Sequence, residues 1–162
     1  MAQERFKPGV TVGAIIERDG RFLLVEEHTS AGLRLNNPAG HLEPAEDLLQ
    51  GCVREVLEET GFDFVPTALL GVYLTAYPQH DAAVHGDLRA RPHYLRFAFV
   101  GQLGAFHPDR ALDAGIVRTL WLTPEEIRAA HNLRSPTVLQ CLEDYLSGQR
   151  QPLDMLKMIA AD

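Results

Sequence analysis

One segment, Ala45–Thr60, restricts the fold of this chain more than any other, because its apolar residues recur at helical spacing. On a helical wheel they form one broad stripe, made of Leu48, Leu49, Cys52, Val53, Val56 and Leu57. A helix with such a stripe is stable only when another layer covers it, and the width of this stripe suits a sheet. Gly61 follows as a typical helix terminator. The segment therefore predicts a helix packed on a sheet, with Cys52 as a small apolar side chain in the interface.

Three glutamates of the same segment lie together on the helical wheel. Glu55, Glu58 and Glu59 occupy an arc of roughly 100°, which overlaps the edge of the apolar stripe. Like charges at this spacing repel each other, and a helix C-terminus is unfavourable for anions. A hard cation such as Mg²⁺ or Mn²⁺, bound by carboxylate oxygens, would remove both penalties. These residues alone also fit the commoner case, a solvated acidic face with Arg54 as counter-charge, so both interpretations are open at this point.

The rest of the chain alternates irregularly between predicted strands and helices. Apolar runs at Val10–Ile16 and Phe22–Val25, joined through Asp19-Gly20, predict a β-hairpin. Thr123-Pro124 and Ser135-Pro136 are typical helix starts, each with a hydroxyl residue at the N-cap before a proline. Further strands are predicted at Ala68–Tyr77, Tyr94–Leu103 and Ile116–Leu122, and a last short helix at Leu153–Ala160. The pattern indicates an α/β fold with a mixed sheet packed between helices.

The size and charge of the chain exclude several classes of protein. Its 162 residues suffice for one core and are too few for two, so a single domain over residues 1–162 is expected. The net charge of −7 disfavours nucleic-acid binding, which requires a basic surface. The first residues lack the apolar core of a signal peptide, and no run approaches the ~20 apolar residues of a membrane span. A cytoplasmic protein without a membrane or nucleic-acid partner is expected.

A longer pattern around the predicted helix resembles the Nudix box. The box consists of a Gly, five residues, a Glu, seven residues and then Arg-Glu-aliphatic-any-Glu-Glu-any-Gly-aliphatic. This chain fills it without a gap, with an aromatic residue at the last place, through Gly40, Glu46, Arg54, Glu55, Val56, Glu58, Glu59, Gly61 and Phe62. The resemblance to Nudix hydrolases implies an α/β/α sandwich in which the box forms a catalytic loop–helix–loop beside a mixed sheet.

Segments outside the box are similar to the NudJ-type group of Nudix phosphatases, over most of the chain. They are Phe6-Lys7-Pro8, Asn37-Pro38-Ala39-Gly40-His41-Leu42-Glu43, Asn132-Leu133-Arg134-Ser135-Pro136 and Ser147-Gly148-Gln149-Arg150, followed by Pro152-Leu153. This similarity implies Mg²⁺-dependent hydrolysis, with Mn²⁺ as a substitute, of a phosphoanhydride bond in a small diphosphate. The implied substrates are hydroxymethylpyrimidine diphosphate, thiamine diphosphate and nucleoside di- or triphosphates, with release of phosphate. The alternatives are a pyrophosphohydrolase for another nucleoside diphosphate derivative and a nucleotide sensor without hydrolysis. Either a monomer or a homodimer is compatible with the sequence.

The resemblance also assigns roles within the box. Glu55 and Glu59 would be the principal Mg²⁺ ligands, and the carbonyl of Ala39 would complete the shell. Glu58 would be a third ligand or a base that positions water. Arg54 would orient the glutamates through its planar guanidinium, which Lys cannot copy. Glu55, Glu58 and Arg54 are therefore the candidate catalytic residues.

Three further box residues and one later acid complete the predicted site. Glu46 would pair with Arg54, bind the cation through water, or have a structural role only. Gly40 and Gly61 would form the turns at the two ends of the box. The related group has an acidic cluster before the last strand, of which only Asp113 is present here.

Candidate substrate contacts lie outside the box, at Arg134, Tyr77, Asn37 and Arg96. Arg134 precedes a helix start, where free N–H groups attract anions, but a simple pair with a surface carboxylate is an open alternative. Tyr77 belongs to a set of strand aromatics, with Tyr73, Tyr94 and Phe97, that would either line a substrate pocket or fill the core. A histidine group at His80, His85 and His93 matches no familiar zinc spacing.

Overall fold

A computed structural model of the chain describes residues 6–76 and 92–159. The described part contains eight strands, three α-helices and a short 3₁₀ turn at Leu153–Met155. In chain order they are β1 (Gly9–Ile15), β2 (Glu17–Arg18), β3 (Arg21–Thr29), β4 (Gly32–Asn36), β5 (Ala39–His41), α1 (Leu48–Thr60), β6 (Phe62–Ala76), β7 (His93–Phe106), β8 (Ile116–Leu122), α2 (Pro124–Ala129) and α3 (Pro136–Leu146). Among these residues, no helix has the length and apolar character needed to cross a bilayer.

The strands form two sheets. The first is mixed, with strand order β5-β1-β7-β6, and β1 runs parallel to β7 while the other neighbours are antiparallel. The second is antiparallel, and its strand β3 pairs with β2, β4 and β8. The predicted mixed α/β fold class is therefore confirmed, although the strands are divided between two sheets.

Side chains of β1 point alternately into two cores, one on each side of the first sheet. Val12 and Ala14 join the core beneath α1, together with Cys52 and Val56. Ile15 joins the second core, which α2 and α3 complete with Ile127, Val138, Cys141 and Leu142. Because side chains alternate along β1, the first sheet has one core on each face, with α1 over one and α2 and α3 over the other. The layers form a helix–sheet–helix sandwich. Cys52 is buried as predicted, and burial raises the pKa of its thiol.

The predicted hairpin is wrong in its first strand. The segment Val10–Ile16 does not pair along Phe22–Val25; β1 pairs instead with β5 and β7. The residues that do form the hairpin are β2 and the start of β3, around a turn in which Asp19 and Gly20 have φ of 53° and 75°. Positive φ at both residues is what a two-residue type I′ turn requires. The physical reason for the error is that β1 lies between β5 and β7 in the first sheet, where its side chains enter both cores, whereas β3 belongs to the second sheet.

Other predicted element boundaries also moved. The helix begins at Leu48 instead of Ala45, because Ala45 has a left-handed φ of 69°. Strand β6 begins at Phe62, well before the predicted Ala68, since irregularities in its pairing with β7 accommodate Pro66 within the strand. Only the 3₁₀ turn is present within the last predicted helix, Leu153–Ala160, as far as its residues are described.

Candidate functional site

Helix α1 carries the acidic residues, and local sequence determines both of its ends. The side chain of Asp47 accepts a hydrogen bond from the backbone N–H of Gln50, and the Gln50 side chain accepts one from the backbone N–H of Asp47. This reciprocal capping box fixes the first turn. Gly61 ends the helix with φ of 73°, a conformation that side chains with a Cβ rarely adopt. The register of the glutamates along α1 is therefore fixed at both ends.

Arg54 holds three carboxylates of the box. Its Nε and Nη2 donate to the two carboxylate oxygens of Glu46 at 2.9 and 2.7 Å, a bidentate pair. Its Nη1 donates to Glu55 at 2.7 Å and to Glu58 at 3.0 Å, and Nη2 also donates to the carbonyl of His41 at 3.0 Å. The hydrogen bond from Arg54 lowers the pKa of Glu46, and its carboxylate partners, Glu46 foremost, raise the pKa of Arg54. One guanidinium therefore orients three acidic groups.

Glu55 is buried directly beneath the loop that precedes the helix. Burial raises the pKa of its carboxyl group, against the opposing effect of Arg54. A Cβ added at Gly40 would overlap the Glu55 carboxylate. Glycine at position 40 thus leaves the space in which this carboxylate lies, a role distinct from the turn expected there.

Glu59 is the most strongly perturbed acid of the site. Its side chain accepts a hydrogen bond of 2.8 Å from the backbone N–H of Ala39 on β5. Burial raises the pKa of Glu59 to about 8, and the nearby charges of Glu55, Glu27 and Asp113 act in the same direction. An acid that is buried among other acids is a group that a cation would stabilise in its charged form.

The arrangement of carboxylates fits a hard divalent cation. One oxygen each from Glu55, Glu58 and Asp113 lies within 4.8 Å of the others. Oxygens on opposite sides of a Mg²⁺ ion with ligand distances of ~2.1 Å are about 4.2 Å apart, so small side-chain movements suffice to bring the three onto one ion. The backbone N–H of Asp113 donates to the carbonyl of Glu58 at 3.0 Å, which holds the loop between β7 and β8 against α1. Asp113, whose role the sequence left open, is therefore part of the acidic cluster.

A cavity of about 160 Å³ adjoins the cluster. Its wall is formed by strands β1 and β3 to β7 and by the start of α3. Most of the lining residues are polar: Thr11, Glu27, Asn36, Ala39, Gly40, His41, Thr75, Tyr94, Arg96, Arg134 and Thr137. Two predicted substrate contacts, Arg96 and Arg134, lie on this wall. Ala39 and Gly40 also belong to the wall. The backbone N–H of Ala39 donates to Glu59, and Gly40 borders the Glu55 carboxylate, so the cavity is adjacent to the cluster.

Asn37, another predicted contact, does not line the cavity. Asn37 is buried, its side-chain oxygen has no hydrogen-bond partner among the described residues, and its neighbour Asn36 lines the cavity instead. Tyr73 donates to Asp144 at 2.7 Å in the core beneath α3. Tyr77, like His80 and His85, lies outside the described residues, whereas Tyr94 lines the cavity.

Sequence reasoning missed Glu27. Its carboxylate lies 3.6 Å from Nε of Arg134 and accepts a hydrogen bond of 3.1 Å from Nδ2 of Asn36. The only indication in the sequence was a pair of acids at the end of a predicted strand, which alternation directs to opposite faces. Glu26 pairs with Arg118, and Glu27 lines the cavity. A partly buried carboxylate, that of Glu27, thus lies beside Arg134.

Helix α3 begins at Pro136, with Ser135 at the N-cap as the sequence predicted. The Ser135 hydroxyl, however, makes no capping hydrogen bond and is buried without a partner among the described residues. The expectation that this hydroxyl sets the first turn is therefore wrong. The proline ring alone, with its fixed φ, favours the helical start here.

The raised pKa of Glu59 predicts a pH dependence of stability in the absence of metal. Between the ordinary value of 4.5 and about 8, the folded protein holds a proton at Glu59 that the unfolded chain has lost. The contribution of this group to stability therefore falls as the pH rises through that window. We expect Glu59→Gln to remove this contribution. Between pH 5 and 8 the melting temperature of the wild type should therefore fall by on the order of 5 °C more than that of Glu59→Gln. Calorimetry in EDTA measures the difference, and parallel profiles would contradict the prediction.

Known proteins resemble this chain in sequence and in fold. The NUDIX domain family matches residues 7–141. Phosphatase NudJ from Escherichia coli strain K12 is 39% identical over 152 residues, which cover 93% of this chain and 92% of that protein. A NUDIX hydrolase from Nitrosomonas europaea is 50% identical, with a TM-score of 0.84 over 94% of this chain and 98% of its own. A UDP-X diphosphatase, at 20% identity, 93% and 68% coverage and a TM-score of 0.68, shares the fold.

Proposed function

This chain belongs to the NUDIX domain family and is a Nudix hydrolase, and from that premise we propose that it hydrolyses a phosphoanhydride bond of a small diphosphate with the help of Mg²⁺. The proposed substrates are hydroxymethylpyrimidine diphosphate, thiamine diphosphate and nucleoside di- or triphosphates, with phosphate as a product. The relative at 39% identity is named a phosphatase, which supports release of phosphate over release of pyrophosphate. A single catalytic domain over residues 1–162 is part of the proposal.

One observation carries the proposal. An acidic cluster, Glu55, Glu58 and Asp113, adjoins a cavity whose wall contains two guanidinium groups, those of Arg96 and Arg134. In a protein of net charge −7, a diphosphate needs local positive charge. The two guanidinium groups supply it on the cavity wall, and a cation held by the acidic cluster would supply it on the other side of the substrate. A cation bound by these carboxylates neutralises phosphate oxygens and makes a bound water more acidic.

The protein residues hold the reacting groups in place. In hydrolysis, the oxygen of water bonds to phosphorus, the bridging P–O bond breaks, and a proton of the water passes to a base. We assign Glu55 and Glu59 as the principal cation ligands, with Asp113 and the Ala39 carbonyl in the same shell. Glu58 is either a further ligand or the base that takes the proton. In this assignment Arg54 is a positioning residue, because it orients Glu55 and Glu58 and does not line the cavity.

A substrate panel tests the proposal. Purified protein with Mg²⁺ is incubated with hydroxymethylpyrimidine diphosphate, thiamine diphosphate, a nucleoside diphosphate and a nucleoside triphosphate, and phosphate and pyrophosphate are measured separately. We expect phosphate and the corresponding product with one phosphate fewer. Pyrophosphate as the main product would favour the alternative of a pyrophosphohydrolase. Binding of these compounds without any turnover would favour a nucleotide sensor.

A further inference from the structure

We propose that Arg96 selects substrates with a free terminal phosphate, by binding that phosphate in the cavity beside the acidic cluster. The inference rests on the proposed function, since it concerns the same substrate, and it adds a specificity-determining residue outside the box. Arg96 lies on β7, next to β1 in the first sheet, where its side chain reaches the cavity wall.

The guanidinium of Arg96 is buried, and no described residue supplies it with a counter-ion. Only 8% of the residue is exposed. Among the described residues no carboxylate lies within 4.0 Å of it, and its one hydrogen bond is a long one of 3.4 Å from Nη1 to the neutral Oδ1 of Asn36. Burying an uncompensated charge is strongly unfavourable in a folded protein. Such a charge on the wall of a cavity is therefore explained by an anion that occupies the cavity during function.

Neighbouring residues keep the Arg96 charge directed at the cavity. The Asn36 amide donates its N–H to Glu27 at 3.1 Å, so that only its neutral oxygen faces Arg96. Glu27 itself lies beside Arg134 at 3.6 Å. The stem of Arg96 passes over Gly13, where a Cβ would lie 3.7 Å from Cδ of Arg96. Glu27 is thus paired with Asn36 and Arg134, and Arg96 remains available to a ligand.

The cavity suits a small anion better than an organic ring. Its volume of about 160 Å³ is below the roughly 300–1,000 Å³ of pockets that enclose a whole small molecule. The Thr11 hydroxyl on its wall is buried and has no hydrogen-bond partner among the residues that the structure describes. Buried hydroxyl groups usually have a partner, and a phosphate oxygen supplies an acceptor for this one. A terminal phosphate matches the cavity in charge, size and hydrogen bonding.

The position of the cavity gives the terminal phosphate a defined orientation. Ala39 and Gly40 separate the cavity from the glutamates of α1, because the Ala39 N–H binds Glu59 and Gly40 borders Glu55. A phosphate beside Arg96 is therefore adjacent to the acidic cluster, where the phosphoanhydride bond is cleaved. A diphosphate whose terminal phosphate carries a sugar would place a bulkier group with one charge fewer in the same space. Selection for a free end follows from both differences.

Steady-state kinetics with a matched substrate pair tests the selection. Uridine diphosphate and uridine diphosphate glucose differ only in the group on the terminal phosphate. For the wild type we expect a higher kcat/KM with uridine diphosphate. Arg96→Met should lower that value by at least ~100-fold and change the value for the glucose derivative less than threefold, while Arg96→Lys should retain part of the preference. Arg118→Met is the matched control, because Arg118 is an exposed arginine paired with Glu26 away from the cavity.

Binding of inorganic phosphate to the metal-free protein provides a readout that does not need turnover. We expect Arg96→Met to weaken phosphate binding, measured by ³¹P NMR titration, by at least tenfold relative to the wild type and to Arg118→Met. The melting temperature of unliganded Arg96→Met should not fall, since the substitution removes an uncompensated buried charge.

The outcomes separate this proposal from the proposed function. Equal phosphate binding by wild type and Arg96→Met, or no binding by the wild type, would overturn the role of Arg96 even in an active enzyme. Phosphate binding that depends on Arg96 in a protein without hydrolytic activity would support the anion site and contradict the proposed function. If Arg96→Met does not fold, Arg96→Gln, which removes the charge but keeps polar hydrogen-bonding groups, decides the question: unchanged phosphate binding and substrate preference would overturn the proposal.

Discussion

Removal of divalent cations with EDTA is expected to lower the rate of diphosphate hydrolysis by at least ~100-fold, and added Mg²⁺ or Mn²⁺ should restore it. The reason is electrostatic: without a cation, the carboxylates of Glu55, Glu58 and Asp113 repel the phosphates of the substrate. Release of phosphate is followed at saturating substrate before and after dialysis against EDTA.

Two controls show that the effect arises at the acidic cluster. Circular dichroism should be the same with and without EDTA, because both sheets and both cores are formed by protein residues alone. Mg²⁺ should raise the melting temperature of the metal-free protein, since a cation that binds only the folded state stabilises it. Undiminished turnover in EDTA would rule out the proposed metal dependence.

Glu59→Gln is expected to reduce kcat by at least ~100-fold at saturating Mg²⁺, with little loss of folded structure. The amide oxygen of Gln can still accept the hydrogen bond from the Ala39 N–H, so the contact between α1 and β5 is retained. A neutral amide is a weaker ligand for Mg²⁺ than a carboxylate. The change therefore acts on the chemistry more than on the fold.

Glu125→Gln provides the matched control for this substitution. Glu125 lies on α2 with 80% of its side chain exposed, and its contact with Arg128 is a loose one of 3.9 Å. The same chemical change at this position should leave kcat within about twofold of the wild type, because exposed ion pairs contribute little. If Glu59→Gln retains the activity of this control, Glu59 is not a principal ligand.

Helix α1 and the family were predictable because their determinants are local. The apolar stripe, the three glutamates and Gly61 lie within one segment and follow a period that needs no knowledge of distant residues. The family assignment used the same segment and was confirmed by the match over residues 7–141. The substrate and the roles of the individual residues stay predictions, for which the experiments above are designed.

Strand pairing was less predictable. The turn at Asp19-Gly20 was recognised from its residues, but its partner strand was β2 and not the longer apolar run of β1. Local sequence favours a turn, whereas the choice of neighbour depends on which strand has both faces buried. For the same reason β6 is longer than expected, since its pairing with β7 extends across Pro66 through an irregular register.

The sequence by itself determined the register of the acidic residues on α1, its end at Gly61 and the chemistry that such residues favour, because a helix places neighbours by spacing alone. Only the tertiary structure brought Asp113 to Glu58 and Glu27 to Arg134, and only it buried Arg96 with no counter-ion among the described residues. These contacts join residues that are distant along the chain, and they depend on how two sheets and three helices close around the cavity. Spacing within a segment carries no information about that closure, which is decided by which apolar faces are buried together.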